Sequence, residues 1–173
     1  MKPIDLKNKL ANGEKVYGTM LWAIDSARMA SFLDSEDLDY AIIEAEHAPR
    51  TLYQINSITT ALRNKNITSI VRITSPNPEI AGATIDAGAD GILVPYCEDI
   101  EELKLSFGRT YFNPLKGEYL KKVLDEGKFP SKKSEDYLRE KSKSRLFILG
   151  IESVPAVNNL EKMINSVEKI DGI

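Results

Sequence analysis

Two carboxylates and the only histidine of the chain lie within four consecutive residues. Glu44, Glu46 and His47 directly follow an apolar run over residues 40–43. Carboxylates and imidazoles are the side chains that enzymes use most often to transfer protons. Side chains alternate along a strand, so an extended segment over residues 42–46 would place both glutamates on one face. The spacing predicts an acid–base site at the end of a strand.

A structural explanation accounts for the same residues. Arginines such as Arg72 can pair with both glutamates, while His47 simply caps a strand that Pro49 ends. Structural ion-pair networks perturb titrating groups at strand ends just as active sites do. Buried charges are costly unless they are paired or used. Three such residues within four positions favour a functional site, and pairing with Arg72 remains the alternative.

The elements that must position these residues alternate along the chain. Apolar strand patterns begin near residues 16, 39, 68, 91, 146 and 170, with helical patterns between them. Four of the five intervals are 23 to 29 residues long, which is one strand plus one helix and two turns. Alternating elements with apolar strands predict an α/β fold with a parallel sheet covered on both faces.

The remaining interval, 55 residues between the fourth and fifth strands, predicts an insertion at about 109–145. Long segments at the carboxyl side of a strand often shape the site of a β/α barrel, so we expect this one to border the site. The length of 173 residues otherwise fits a single domain over 1–173.

Three helical patterns predict which side chains face the core or where a helix ends. We expect a helix capped by Asp25 or Ser26 and a later helix closed by Gly108. We expect Met29, Phe32 and Leu33 to share one side of the helix that Asp25 or Ser26 caps, and Val157, Leu160 and Ile164 to face inward in the last helix.

Composition excludes several classes of partner. A net charge of −3 gives no electrostatic argument for nucleic acid or an anionic membrane. The single cysteine, Cys97, excludes an internal disulfide and fits a reducing compartment. Neither a signal-peptide pattern nor a long apolar run is present, so a cytoplasmic location is expected.

Further polar and aromatic residues lie at the carboxyl ends of the other strands, where α/β sheets place their chemistry. These residues are Trp22, Arg72, Tyr96 and Glu152, and Pro95 lies beside Tyr96. Trp22 can equally be a packing residue, and Glu152 can cap the helix that follows it. No predicted strand interior contains a lysine, so an imine with a substrate carbonyl is not expected.

Four segments resemble the HpcH/HpaI aldolase/citrate lyase family. They are Glu44-Ala45-Glu46-His47-Ala48-Pro49, Ile70-Val71-Arg72, Gly91-Ile92-Leu93-Val94-Pro95 and Gly150-Ile151-Glu152-Ser153. The resemblance covers nearly the whole chain and is closest to the metal-dependent pyruvate aldolases that cleave 2-oxo-4-hydroxy acids. It implies a (β/α)8 TIM barrel of which this chain holds about the first five to six β/α units, so we expect a C-terminal truncation.

The resemblance also implies roles for individual residues. Glu152 would be one ligand of a divalent metal, Mg²⁺ or Mn²⁺, with the second ligand beyond Ile173. Arg72 would stabilise the enolate oxygen of pyruvate. His47 would be the general acid or base, oriented by Glu44.

The expected pocket would be lined by Trp22, Arg72, Pro95 and Gly150, and its partners would be pyruvate and an aldehyde. A homo-oligomer is also expected. The sequence departs from the family pattern at Glu44, where aspartate is common, and at Gly150, where glutamine is common. Two alternatives remain: a citrate-lyase-type enzyme acting on a coenzyme A thioester, and a truncated barrel fragment without catalysis.

Overall fold

Strands and helices alternate along the whole chain, and the computed structural model describes every residue from Met1 to Ile173. In chain order the elements are α1 (Pro3–Ala11), β1 (Gly18–Leu21), α2 (Ala27–Ala30), β2 (Tyr40–Glu44), α3 (Leu52–Asn64), β3 (Thr68–Arg72), α4 (Pro78–Asp86), β4 (Gly91–Val94), α5 (Ile100–Tyr111), α6 (Gly117–Glu126), α7 (Lys132–Ser142), β5 (Leu146–Leu149) and α8 (Val154–Asn165). None of these helices combines the length and apolar character needed to cross a membrane.

The five strands form one parallel sheet in the order β1-β2-β3-β4-β5. Each strand therefore pairs with the next one along the chain. This is the order of a β/α barrel, whereas a doubly wound sheet reverses its order at a switch point. Gly172 forms a parallel bridge to Ile148, where the sequence predicts the start of a sixth strand. The predicted α/β fold is confirmed, with five β/α units of the barrel type.

The two faces of the sheet have different surroundings. The outer face packs under the helices in a core of 28 buried residues that includes Ile43, Val71 and Phe147. The inner face forms a concavity of about 430 Å³, and Leu6 of α1 packs with Ile70 at one end of it. Helices cover the outer face, whereas the inner face lines the concavity that the curved sheet forms, as expected for the predicted β/α-barrel fold.

Three aspartates fix the register at the amino ends of alternate strand pairs. The Oδ2 atom of each aspartate accepts a hydrogen bond from the backbone N–H of a residue in or directly before the preceding strand at 2.9–3.0 Å. The backbone N–H of the aspartate donates to the carbonyl of that same partner residue at 2.8–2.9 Å. The pairs are Asp39 with Tyr17, Asp90 with Ser69 and Asp171 with Phe147. These reciprocal bonds align the strands whose opposite ends carry the candidate site.

The long segment between β4 and β5 does not border those ends. α5 is the ordinary helix that follows β4, and it ends at Tyr111, whose hydroxyl donates to Asp171 at the amino end of the sheet. The added residues 112–145 follow the end of α5 in the chain, and their helices α6 and α7 pack on the outside of α5. The expectation that the insertion shapes the site is therefore wrong, because the added residues join a helix to the next strand.

Several predicted helix faces also differ. In the α2 region Ser26 is the cap, but Met29 is exposed and Phe32 is 82% exposed, because the helix ends at Ala30. α8 buries Ala156 and Met163 and exposes Val157 and Ile164. Apolar residues occupy two sides of α8, so its pattern does not identify the buried side.

The predicted end of α5 is wrong as well. Gly108 lies inside the helix, where a Cβ would come within 2.9 Å of both Leu120 and Leu124. This glycine lets α6 approach α5 closely and does not end the helix.

Candidate active site

Glu44 and Arg72 face each other at the carboxyl ends of β2 and β3. The strand register pairs the two residues directly. Glu44 is fully buried, and its Oε2 accepts a hydrogen bond from Arg72 Nε at 2.5 Å. A buried carboxylate requires a charged partner or several donors. This ion pair is therefore the rigid centre of the site.

The other oxygen of Glu44 ends the strand. Its Oε1 accepts the backbone N–H groups of Glu46 and His47 at 2.9 and 2.7 Å. The chain therefore turns around the carboxylate after Glu44, and the predicted extension through Glu46 is wrong. The two glutamates nevertheless reach the same guanidinium, because Glu46 Oε2 lies 3.2 Å from Arg72 Nη1.

His47 lies at the edge of this cluster, with 59% of its side chain exposed. Its Nε2 is 3.5 Å from Glu46 Oε2, and its ring centroid is 6.2 Å from that of Trp22. Glu44 contacts only the backbone N–H of this residue. The carboxylate beside the imidazole is that of Glu46, so any effect of Glu44 on the ring acts through the backbone.

Glu152 approaches from the far side, after β5. Its Oε1 accepts the backbone N–H of Tyr96 at 3.3 Å. Tyr96 has φ +46°, a left-handed conformation that is costly for an aromatic residue. A Cβ at Gly150 would lie only 2.7 Å from Glu152 Oε1 and 3.2 Å from Pro95 Cα. The absence of a side chain at Gly150 therefore leaves the space that the Glu152 carboxylate occupies.

The concavity on the inner face brings part of the predicted site together. Arg72, Gly150 and Glu152 all line it. Pro95 lies behind Gly150, and Trp22 is half exposed beside His47. The site is thus an arginine held by two carboxylates, with an exposed imidazole at one edge and an exposed carboxylate across the concavity.

Electrostatics keep the central pair charged. Burial alone raises the pKa of Glu44, but hydrogen bonds from Arg72 and from the His47 and Glu46 N–H groups hold that pKa below its ordinary value of 4.5. Burial lowers the pKa of Arg72, but its three neighbouring carboxylates outweigh this and raise it, that of Glu44 first. Both groups are therefore ionised at neutral pH.

The carboxylates differ in what they can still bind. Glu44 is hydrogen-bonded to Arg72, and Glu46 Oε2 makes an ion-pair contact with Arg72 without a hydrogen bond. No group of three or more His, Cys, Asp or Glu residues is placed to hold a metal. Glu152 accepts one N–H on Oε1, and its Oε2 accepts no hydrogen bond within the protein. An exposed carboxylate oxygen of this kind fits a single ligand to Mg²⁺ or Mn²⁺.

The roles of two residues at the site were not predicted from the sequence. Arg50 donates to backbone carbonyls at the ends of β1 and β2, and Tyr96 presents its backbone N–H to Glu152. Both contacts involve backbone groups, carbonyls for Arg50 and an N–H for Tyr96, and no pattern of residue types predicts such contacts. The only available signal was their position, each within a few residues of a strand end.

Fold and site together define an α/β protein of the β/α-barrel type with acid–base and arginine side chains at the carboxyl ends of its strands. The family model for HpcH/HpaI aldolase/citrate lyase matches residues 19–173. The chain belongs to this family.

Relatives and solved structures agree on the fold. A 2-keto-3-deoxy-L-rhamnonate aldolase of Escherichia coli O9:H4 (strain HS) is 24% identical over 171 residues, 96% of this chain and 61% of the relative. An HpcH/HpaI aldolase structure from Desulfitobacterium hafniense DCB-2 gives a TM-score of 0.73 at 24% identity, covering 95% of this chain and 64% of that one. The structure of the citrate synthase SbnG gives 0.75 at 24% identity, covering 95% and 62%. The chain thus spans about 61% of the length of the curated relatives it matches.

Proposed function

We propose that this protein is a divalent-metal-dependent aldolase that cleaves a 2-oxo-4-hydroxy acid to pyruvate and an aldehyde. The observation that carries the proposal is the position of Arg72, fixed by two carboxylates on the inner face and lining one concavity with Glu152. Membership of the aldolase/citrate lyase family supports the reaction class. The substrate of the E. coli relative, 2-keto-3-deoxy-L-rhamnonate, supports the substrate class.

Arg72 supplies a preset positive charge for the oxygen that becomes negative. Its Nε and Nη1 are engaged by Glu44 and Glu46, which leaves Nη2 free for a substrate oxygen. A donor that is already oriented needs no reorganisation as charge develops, and this is the main source of electrostatic catalysis. We assign Arg72 to the keto oxygen of the substrate.

His47 is the residue placed to move the proton. In the cleavage direction the C4 hydroxyl loses its proton, the C3–C4 bond breaks, and its electron pair forms the enolate of pyruvate, which then takes a proton at C3. An exposed imidazole can accept the hydroxyl proton. Glu46, 3.5 Å from Nε2, then stabilises the resulting imidazolium.

Glu152 is the residue that would hold the metal, as one oxygen ligand among several. When bound, a divalent cation supplies Lewis-acid stabilisation of the negative charge that develops on the substrate. No lysine lines the concavity, which favours this chemistry over an imine mechanism.

The test is the release of pyruvate from a panel of 2-oxo-4-hydroxy acids, run beside coenzyme A thioesters of hydroxy acids. Pyruvate from the first group supports the proposal, whereas turnover of thioesters alone supports the citrate-lyase alternative. Arg72→Lys is the diagnostic variant, because lysine keeps the charge but cannot engage two carboxylates and a substrate oxygen together. Arg63→Lys is the matched control, since Arg63 contacts Asp90 and Gly88 at the amino end of the sheet.

A further inference from the structure

Arg50 joins the carboxyl ends of β1 and β2 through three hydrogen bonds. Its Nε donates to the Glu44 carbonyl at 2.7 Å, and its Nη2 donates to the carbonyls of Leu21 and Trp22 at 3.0 and 2.7 Å. The strand ladder itself stops at the pair Leu21 and Ile43. Arg50 therefore continues the pairing of the two strands beyond their last backbone contact.

The same bonds close the loop that carries His47. At its start the Glu44 carboxylate holds the N–H groups of Glu46 and His47. At its end the Arg50 side chain returns to the Glu44 carbonyl, and Thr51 begins α3 with a capping box. The loop over residues 45–49 is thus tied at both ends to one residue of β2.

Trp22 is held from the other strand. The Arg50 bond to its carbonyl fixes the backbone of Trp22 relative to the His47 loop, and the two rings lie 6.2 Å apart at an interplanar angle of 31°. Both side chains are more than half exposed, so little packing holds them. Backbone tethering is what sets their separation.

We propose that Arg50 is a positioning residue that holds Trp22 and His47 together as one wall of the site before substrate arrives. It is not a substrate ligand, because it does not line the concavity that Arg72 and Glu152 share, and three of its five donor hydrogens go to backbone carbonyls. Arginine suits the task, since its planar guanidinium reaches two strands at once, whereas a lysine ammonium is a point donor.

The test uses Trp22 as a reporter, because it is the only tryptophan in the chain. In Arg50→Ala we expect a red shift of the Trp22 emission and stronger quenching by acrylamide. Arg50→Lys should restore part of the parent signal. The matched control is Arg63→Ala. Arg63 lies in the last turn of α3, far from Arg50, and its loss removes a hydrogen bond to the Gly88 carbonyl, so the emission should stay unchanged.

A kinetic measurement adds a second readout and rests on the proposed aldolase function. Misplacing a catalytic group by about 1 Å costs on the order of a hundredfold in rate, so Arg50→Ala should lower kcat by about tenfold to a hundredfold, and Arg63→Ala should not. If no 2-oxo acid is turned over by the parent, the proposed function fails, while the fluorescence measurement still decides the role of Arg50.

The contrary result is a purely structural role. Arg50→Ala would then lower the melting temperature while Trp22 emission, acrylamide quenching and kcat, all measured well below that temperature, match the parent. Should Arg50→Ala fail to fold, Arg50→Met replaces it, because methionine keeps much of the apolar side chain but has no donor for the carbonyls. Parent-like Trp22 quenching in Arg50→Met overturns the proposal, and increased quenching supports it.

Discussion

Arg72 Nε and Glu44 Oε2 meet at 2.5 Å across directly paired positions of β3 and β2. The pair fits both the structural and the functional interpretation of the sequence, since it is a buried ion pair and also the rigid centre of the site. What separates these interpretations is the surroundings. A purely structural pair does not require an exposed imidazole beside it or an exposed carboxylate across the same concavity.

Replacement of Glu44 by glutamine should destabilise the fold. The neutral amide leaves the Arg72 charge with weaker partners, and losing one member of a buried pair costs about 3–5 kcal/mol. Urea denaturation at pH 7 measures the loss. Glu161→Gln, an exposed change on α8, is the control, and an equal loss in both variants would contradict the assigned role.

The effect of Glu44 should also depend on pH. Its pKa in the folded protein lies below the ordinary 4.5, so its contribution is fully present above the unfolded pKa and is lost as pH falls through the folded pKa. The difference in unfolding free energy between parent and Glu44→Gln should be constant from pH 6 to 8 and shrink below about pH 4.5. A difference that grows in acid would have the wrong sign.

His47→Ala should affect chemistry and not folding. Loss of a general acid–base group lowers kcat by about 10²–10⁴-fold, while the largely exposed side chain contributes little to packing. Steady-state kinetics and thermal melting of the same preparation check this. Parent-like kinetics with a lowered melting temperature would instead identify His47 as a strand cap.

Gly150→Ala should weaken metal binding. An added Cβ would lie 2.7 Å from Glu152 Oε1 and 3.0 Å from the Val94 carbonyl, so the carboxylate must move. Changes next to a metal ligand typically cost 10–100-fold in affinity, and we expect about that loss in Mn²⁺ binding measured by calorimetry. Gly172→Ala is the control, because a Cβ there has no neighbour closer than 3.7 Å.

Substitutions that break the contacts between α5 and the segment over residues 112–145 should change stability without changing the site. Arg109 is buried and donates to Asn113 at 2.7 Å and to the Leu115 carbonyl at 3.0 Å. Leaving such acceptors unpaired costs about 1–3 kcal/mol. Arg109→Ala should therefore lower the unfolding free energy while KM and kcat stay at parent values. A changed KM would show that the segment over residues 112–145 does affect the site, against this account.

Much of the fold follows from the sequence because its signals are local. Asn77 caps α4, with Pro78 at its first position and Gly88 at φ +101° beyond its end, and these are the residue types that favour a helix cap, a first helical position and a helix end. The strand spacing likewise predicts the parallel sheet. The position of the insertion could not be predicted in this way, because spacing alone does not show whether extra residues come before or after the helix of a β/α unit.

The site was predictable as a set of residues but not as a geometry. Glu44, Arg72 and Glu152 could be found because their types and strand-end positions are informative. The turn after Glu44 could not, since it depends on the Glu44 carboxylate capturing two N–H groups that an extended strand would leave to a neighbour. Arg50 was missed because all three of its partners are backbone carbonyls, which carry no sequence signal.

The most direct test of the central claim is pyruvate release from 2-keto-3-deoxy-L-rhamnonate and related 2-oxo-4-hydroxy acids before and after exhaustive chelation. A metal-dependent aldolase forms pyruvate, loses that activity with chelator, regains it with Mg²⁺ or Mn²⁺, and is not trapped by borohydride in the presence of pyruvate. Pyruvate release that survives chelation, or a covalent adduct after borohydride treatment, would contradict the account.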